Sequence, residues 1–299
     1  MREAAVGYGM ALLATVIWSG NFVVARAVAD MIPPWQCNFW RWAVAFVVCL
    51  PFAWRHIRRD APLLRRHWRY VSLMALLGVS LMNTFFYKAG QTTPSLNMAL
   101  IAPTAPVIIL LLSRIIYGEP ISPRRLAGMC VVMAGIVVLV SRGDWQRLAG
   151  LRFAGGDLWS LGGALSFGLY SLFMRSRPAG LSTLGFCATT FGLGSLFCLP
   201  AVLAEMAFLP PVDWSREVVI GILYAGVGCS FVSFSLWTRA IAGIGPVRAG
   251  IVYYSLPLYA ALAAWLVLGE AVTAAQAVGG LLIVGGIVTA TLQTHRTPS

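Results

Sequence analysis

Residues 103–137 read PTAPVIILLLSRIIYGEPISPRRLAGMCVVMAGIV, and residues 254–288 read YSLPLYAALAAWLVLGEAVTAAQAVGGLLIVGGIV. Pro106 answers Pro257, Gly118-Glu119 answers Gly269-Glu270, Gly128 answers Gly279, and Gly135-Ile136-Val137 answers Gly286-Ile287-Val288, each at an offset of 151 residues and without a gap. Apolar stretches align by chance, but a proline, a Gly-Glu pair and two further glycines in fixed register do not. The repeat unit is about half the chain, which divides it into 1–148 and 149–299. Internal duplication of this kind in an apolar chain points to a transporter whose site lies between its halves.

The surroundings are apolar throughout. Of the 299 residues 59% are hydrophobic and 11% charged, where a soluble chain carries about 25% charged residues. Mean hydropathy is +0.80. The chain reads as an all-α membrane protein. A spanning helix needs about 20 mostly apolar residues, and ten segments qualify: 7–28, 35–54, 70–90, 95–116, 123–141, 156–176, 181–204, 217–241, 246–268 and 272–292. The first is too long for a signal-peptide core and is read as a retained helix. Proline punctuates the ends, as in Pro33-Pro34, Pro120, Pro123 and Pro210-Pro211, where it costs little.

The net charge of +12 is not a nucleic-acid signal. The arginines sit in short loops, and basic loops mark the cytoplasmic side. With the N-terminus inside, fifteen basic residues lie inside against seven outside or at outer helix ends, among them Arg26, Arg41 and Lys88. Both termini are therefore expected in the cytoplasm. Five helices per repeat is odd, so the second half enters the membrane from the opposite side. The two five-helix repeats are inverted, around a central cavity.

Residues 98–140, from Met-Ala-Leu-Ile-Ala-Pro-Thr-Ala-Pro-Val through Gly118-Glu119-Pro120 to Gly135, and their echo at 249–288 resemble the fourth and fifth helices of the drug/metabolite transporter superfamily, specifically its ten-helix EamA-type exporters. The likeness covers the whole chain, whose character is similar to YddG-type aromatic amino-acid exporters. The resemblance implies a bacterial inner-membrane exporter of aromatic and other neutral amino acids, with a cavity lined by the first, third, fourth, sixth, eighth and ninth helices.

Polar side chains in the hydrocarbon need a partner or water. Ser80, Asn83 and Tyr87 share one helical face, and Ser230, Ser233 and Trp237 repeat the spacing. Trp18 and Asn21 lie one turn apart, Asn97 and Thr104 flank the first prolines, and Tyr253 and Tyr254 precede Pro257. With Tyr170, these are the candidate substrate-binding residues. Each serine is equally at home as interhelical glue, and Trp18 and Tyr170 as packing aromatics. Trp35, Trp40, Trp42, Trp54 and Trp68 suit an interface belt, and Arg26, Arg41 and Lys88 could attract a carboxylate but are explained equally well by snorkelling. Pro103, Pro106 and Pro257 each remove a helix hydrogen bond and are candidate hinges. Glu119 and Glu270 read as turn structure.

All ten acids fall in loops or at segment ends, and His56, His67 and His295 in loops or the tail. A proton pump usually carries an intramembrane carboxylate or His relay, so facilitated diffusion by alternating access is expected. No catalytic residue, metal or cofactor is expected. Cys37, Cys49, Cys130, Cys187, Cys198 and Cys229 read as small hydrophobes. The expected partners are a small-molecule substrate (amino acids) and the lipid bilayer; nucleic acid is excluded and nothing demands more than a monomer. Export of another small metabolite or drug is the alternative. A phosphorylated cargo would want deep basic residues, and an intramembrane enzyme a clustered catalytic set; neither pattern is found.

Overall fold

Apolar runs bounded by Pro, Gly and Ser become helices that bury their own backbone hydrogen bonds, as a bilayer requires. The computed structural model describes residues 2–28, 31–93, 95–152, 154–268 and 273–291. The helices are α1 (Arg2–Val28), α2 (Pro34–Arg66), α3 (Trp68–Thr92), α4 (Ser95–Ile101 continued through Ala105–Tyr117), α5 (Pro123–Ser141), α6 (Gly155–Phe173), α7 (Thr183–Phe208), α8 (Arg216–Ile244), α9 (Pro246–Tyr253 and Leu256–Leu268) and α10 (Ala274–Thr291). A short helix, Trp145–Ala149, lies in the connection between the halves. Among the described residues, α2, α3, α4, α5, α7, α8 and α10 are each long and apolar enough to cross a membrane. Helix α6 is diluted by Gly and Ser, and α9 is interrupted at Tyr254-Ser255.

The packing obeys the sequence repeat. The most extensive helix contacts are α5 with α10, α2 with α7, α1 with α8 and α3 with α6. Exchange of the halves turns the first two pairs into themselves and the last two into each other. Local irregularities repeat as well. Helix α3 widens into a π-helix over Leu76–Leu81, and α8 does so over Tyr224–Val232. Helix α4 tightens to a 3-10 turn at Ala102–Thr104, around Pro103, and α9 breaks at Tyr254-Ser255, at the same place in the repeat.

The repeated glycines have a physical reason. A Cβ on Gly128 would lie 2.7 Å from the Gly286 carbonyl oxygen, and one on Gly135 would lie 2.8 Å from that of Gly279. The reciprocal approaches are equally tight, at 2.7 Å from Gly286 to the Gly128 carbonyl and 2.8 Å from Gly279 to that of Gly135. Helices α5 and α10 thus cross backbone against backbone, the use small residues have between membrane helices. Gly118 ends α4 in the left-handed conformation (φ 67°), its N–H donating to the Arg114 carbonyl, a geometry glycine adopts without penalty. Its mate Gly269, with Glu270, lies outside the described residues.

Three extents correct the sequence reading, the first being α1, which starts at Arg2 rather than at 7. Helix α2 continues from 54 to Arg66 and α7 from 204 to Phe208, because a helix outlasts its apolar run where the next residues are amphipathic helix formers. His56 and Asp60 therefore lie within a helix, not a loop. Asp60 is buried and takes the Ser182 N–H (2.8 Å) and hydroxyl at the start of α7. Reciprocally, Glu205 of α7 takes the N–H groups of Trp35 (3.1 Å) and Gln36 (2.9 Å) at the start of α2. Each helix supplies the carboxylate that caps the other, satisfying orphan donors at the positive end of a helix dipole.

Candidate functional site

Helix α8 threads three levels of the interior. The first surrounds Arg41, two turns into α2. Its side chain is sealed in at 1% exposure, which overturns the snorkelling reading. Nε donates to Ser230 Oγ at 2.9 Å, and Nη1 to Asn83 Oδ1 at 3.1 Å and the Tyr87 hydroxyl at 2.7 Å. The guanidinium also lies over the Tyr87 ring at 5.9 Å. Among the described residues no carboxylate pairs with it. The surrounding helices are held by Asn38, whose Nδ2 donates to the carbonyls of Val79 and Ser80, both at 3.0 Å, and to Thr84 Oγ1 at 2.8 Å. The first two acceptors lie in the π-helical stretch of α3, where widening redirects main-chain carbonyls.

One to two turns along α8 lies the second level, an aromatic cluster drawn from both halves. Trp18 (α1) meets Phe167 (α6), Phe234 and Trp237 (α8) and Tyr253 (α9) at centroid distances of 5.3–6.0 Å. Phe167 meets Trp237 at 5.4 Å and Tyr253 at 5.0 Å. The Trp18 indole donates to the Cys229 carbonyl at 2.8 Å, in the π-helical stretch of α8, and the Trp237 indole to Ser171 Oγ at 3.2 Å. Trp237 is fully buried, so in this conformation packed rings fill the middle of the bundle.

A turn further, Ile241 and Ile244 of α8 form the wall of the third level, a vestibule of about 540 Å³ at the end of the bundle. Arg125, Arg175, Arg177 and Arg248 line it with Glu119. Glu119 accepts from Ser113 Oγ at 2.6 Å and pairs with Arg175. Burial works to raise the Glu119 pKa, and the Ser113 hydroxyl with the Arg175 and Arg125 guanidiniums outweighs it, leaving the carboxyl below its usual value.

The structure divides the candidate residues. Trp18, Trp237 and Tyr253 meet in the cluster, and Asn83 and Tyr87 meet at Arg41. Asn21 is half-buried, its Oδ1 without a partner in the protein. Tyr170 is buried against Phe234 at 5.7 Å. Ser80 donates to the Gly194 carbonyl at 2.9 Å and Ser233 to the Gly228 carbonyl at 3.0 Å. Thr104 turns onto its own helix at the Ile101 carbonyl, 2.7 Å. Asn97 ties the start of α4 to Asp157 Oδ2 (2.8 Å) and the Arg152 carbonyl (3.0 Å), away from the cluster. Tyr254 faces a separate core with Ile109, Ile136 and Ile283. Pro103, Pro106 and Pro257 lie at the interruptions of α4 and α9. Trp42 is fully buried against Phe191 and Phe234, not in an interface belt. Lys88 is exposed, and the Arg26 side chain lies outside the described residues. Phe167 and Phe234 were missed, and Arg41 was left open between attracting a carboxylate and snorkelling. Phe167 and Phe234 give no signal among so many apolar neighbours, whereas a charge inside the apolar run 35–54 is one.

Among the described residues no three His, Cys, Asp or Glu side chains converge to hold a metal ion. Among the described residues the interior offers the buried Arg41 cation, aromatic surface and neutral hydrogen-bonding groups.

Comparison with known proteins agrees with that architecture. Residues 5–141 and 154–292 each match the EamA-like transporter family. An uncharacterized transporter of Archaeoglobus fulgidus is 27% identical, over 95% of this chain and 96% of its own. The aromatic amino acid exporter YddG of Ancylobacter novellus is 27% identical at the same coverage. A probable terminal-alkyne amino-acid exporter of Streptantibioticus cattleyicolor is 25% identical over 93% of this chain and 90% of its own. A solved crystal structure superposes with a TM-score of 0.77 over 96% of both chains at 22% identity, and so shares the fold. With both halves matched and several apolar helices of spanning length, the chain is a multi-pass membrane protein that belongs to the EamA-like transporter family.

Proposed function

We propose that the protein exports neutral amino acids, aromatic ones included, from the bacterial cytoplasm by alternating access. The observation that carries this reading is the aromatic cluster of Trp18, Phe167, Phe234, Trp237 and Tyr253, built from both halves and one turn of α8 from Ser230, which holds a buried guanidinium. Aromatic rings favour an apolar or aromatic side chain by offset and edge contacts, and a cation favours a carboxylate. The named functions of two relatives, an aromatic amino acid exporter and a probable terminal-alkyne amino-acid exporter, support the same cargo class.

In this reading all ten helices cross the inner membrane, as two inverted repeats of five, and both termini and the arginine-lined vestibule face the cytoplasm, in keeping with positive-inside bias. The cytoplasmic vestibule leads to the aromatic cluster, and rocking about the interruptions of α4 and α9 closes one side as it opens the other. Asp60, Glu205 and Asp157 are engaged in capping helix ends, so no proton relay is assigned and cargo runs down its own gradient.

Proteoliposomes loaded with unlabelled phenylalanine should accumulate labelled phenylalanine by counterflow with no pH gradient, undiminished by a protonophore. Pro106→Ala and Pro257→Ala, which restore a helix hydrogen bond, should slow that exchange while phenylalanine still protects the protein from heat. Transport that requires an imposed pH gradient would contradict the mechanism, and wild-type rates in both proline variants would remove the hinge.

A further inference from the structure

We propose that Arg41 is the carboxylate-recognition residue of the transport site: its guanidinium exchanges the neutral oxygens of Ser230, Asn83 and Tyr87 for the carboxylate of the cargo. The proposal deepens the amino-acid reading and rests on it.

A guanidinium withdrawn from water pays a large desolvation penalty, which a buried acid normally offsets. Arg41 is 1% exposed, and among the described residues none of its partners is an acid. The described carboxylate at the start of α2, Glu205 on α7, is not free to help, being held by the Trp35 and Gln36 N–H groups. A stable fold could have placed a methionine or leucine here at lower cost. A cation whose hydrogen-bond partners among the described residues are hydroxyl and amide oxygens keeps its strongest interaction, a paired carboxylate, in reserve.

Two further features point to an anion. Asn83 accepts from Arg41 through Oδ1, which leaves its Nδ2 buried and without a partner in the protein. That N–H₂ is a second donor at the same place, as carboxylate binding requires. Second, Ser230 lies in the π-helical stretch of α8, whose neighbouring Cys229 carbonyl takes the Trp18 indole. The same short segment therefore touches both the cation and the aromatic cluster, and a cargo with its carboxylate at Arg41 would lay its side chain toward Trp18 and Trp237. Helix α7, which corresponds to α2 in the repeat, carries no charge except Glu205, so Arg41 is not a feature of the scaffold duplicated with it.

The test is counterflow in proteoliposomes of the full chain, with phenylalanine and with phenylalaninamide, which keeps the ring and the amine and lacks the carboxylate. Wild type should prefer phenylalanine by at least about ten-fold, the scale of a lost charge-assisted hydrogen bond. Arg41→Gln should lose phenylalanine transport by a similar factor and bring the two rates within about three-fold. Arg41→Lys should recover part of the preference, since the charge returns without the bidentate fork. Should Arg41→Gln fail to fold, Tyr87→Phe decides. It removes one neutral competitor for the guanidinium, and should keep or lower the KM for phenylalanine without improving the amide. Equal loss of both cargoes in Arg41→Gln, or a raised KM for both in Tyr87→Phe, would mark Arg41 as structural and overturn the proposal. Wild type carrying phenylalanine and its amide alike overturns the proposal alone. Wild type carrying neither overturns the amino-acid reading and the proposal together.

Discussion

The crossing of α5 with α10 and the interior around Arg41 and Trp18 obey opposite rules. At the crossing, Gly128 meets Gly286 and Gly135 meets Gly279, and exchange of the halves leaves the arrangement unchanged. In the interior the exchange fails. The residues that correspond to Trp18, Asn83, Tyr87, Phe167 and Trp237 at the 151-residue offset are Leu169, Phe234, Thr238, Val16 and Phe86. An inverted repeat lets each half take the other's conformation, which alternating access requires of the frame. The proposed cargo, an amino acid, has a charged head and an apolar tail and no such symmetry, so on this reading its site departs from the repeat. The scaffold is duplicated and the chemistry is not.

The largest effect should come from breaking the symmetric part. Gly135→Ala drives a methyl group into the Gly279 carbonyl, and Gly286→Ala, its mate, drives one into that of Gly128. Each should cost about 1–3 kcal/mol, as overpacking does. The symmetry adds that the two costs should be alike, both within that range. Thermal unfolding in detergent reads both, and a large cost on one side only would show that the crossing is not symmetric.

A smaller effect is expected at the reciprocal caps. Asp60→Asn and Glu205→Gln remove the charge but not the bulk of the two carboxylates that hold the starts of α7 and α2. Each should lower stability by about 1 kcal/mol and leave the preference among cargoes unchanged. A variant that altered cargo preference would place that acid in the transport site instead.

How much was legible follows the same divide. Pro106, Gly118-Glu119, Gly128 and Gly135 carry backbone requirements that only Pro or Gly meets, so the repeat survives in the sequence and discloses the architecture. The cap by Asp60 was hidden because the apolar run ends near 54 while the helix continues to Arg66. The candidate site was half legible as geometry. Trp18, Asn83, Tyr87, Trp237 and Tyr253 stand out as large polar or amphipathic residues in apolar helices. Asn97 and Tyr254 stand out equally, yet Asn97 ties helix ends and Tyr254 faces a separate core, since spacing along a helix gives a face but not the neighbour it meets. Arg41 stayed open between two readings because an arginine two turns from a helix start can snorkel, and the presence of Ser230, Asn83 and Tyr87 around it shows that it does not.

The central claim, an asymmetric site in a symmetric frame, is tested most directly by measuring phenylalanine counterflow in Trp237→Leu beside Phe86→Leu, its counterpart in the other half. Both replace a large ring by the same aliphatic side chain, and equal amounts of folded protein are compared. The account predicts a fall of at least about ten-fold for Trp237→Leu, consistent with loss of a buried aromatic contact worth upwards of about 1.4 kcal/mol, and a change below about three-fold for Phe86→Leu. Equal losses in the two variants, or the larger loss in Phe86→Leu, would contradict it.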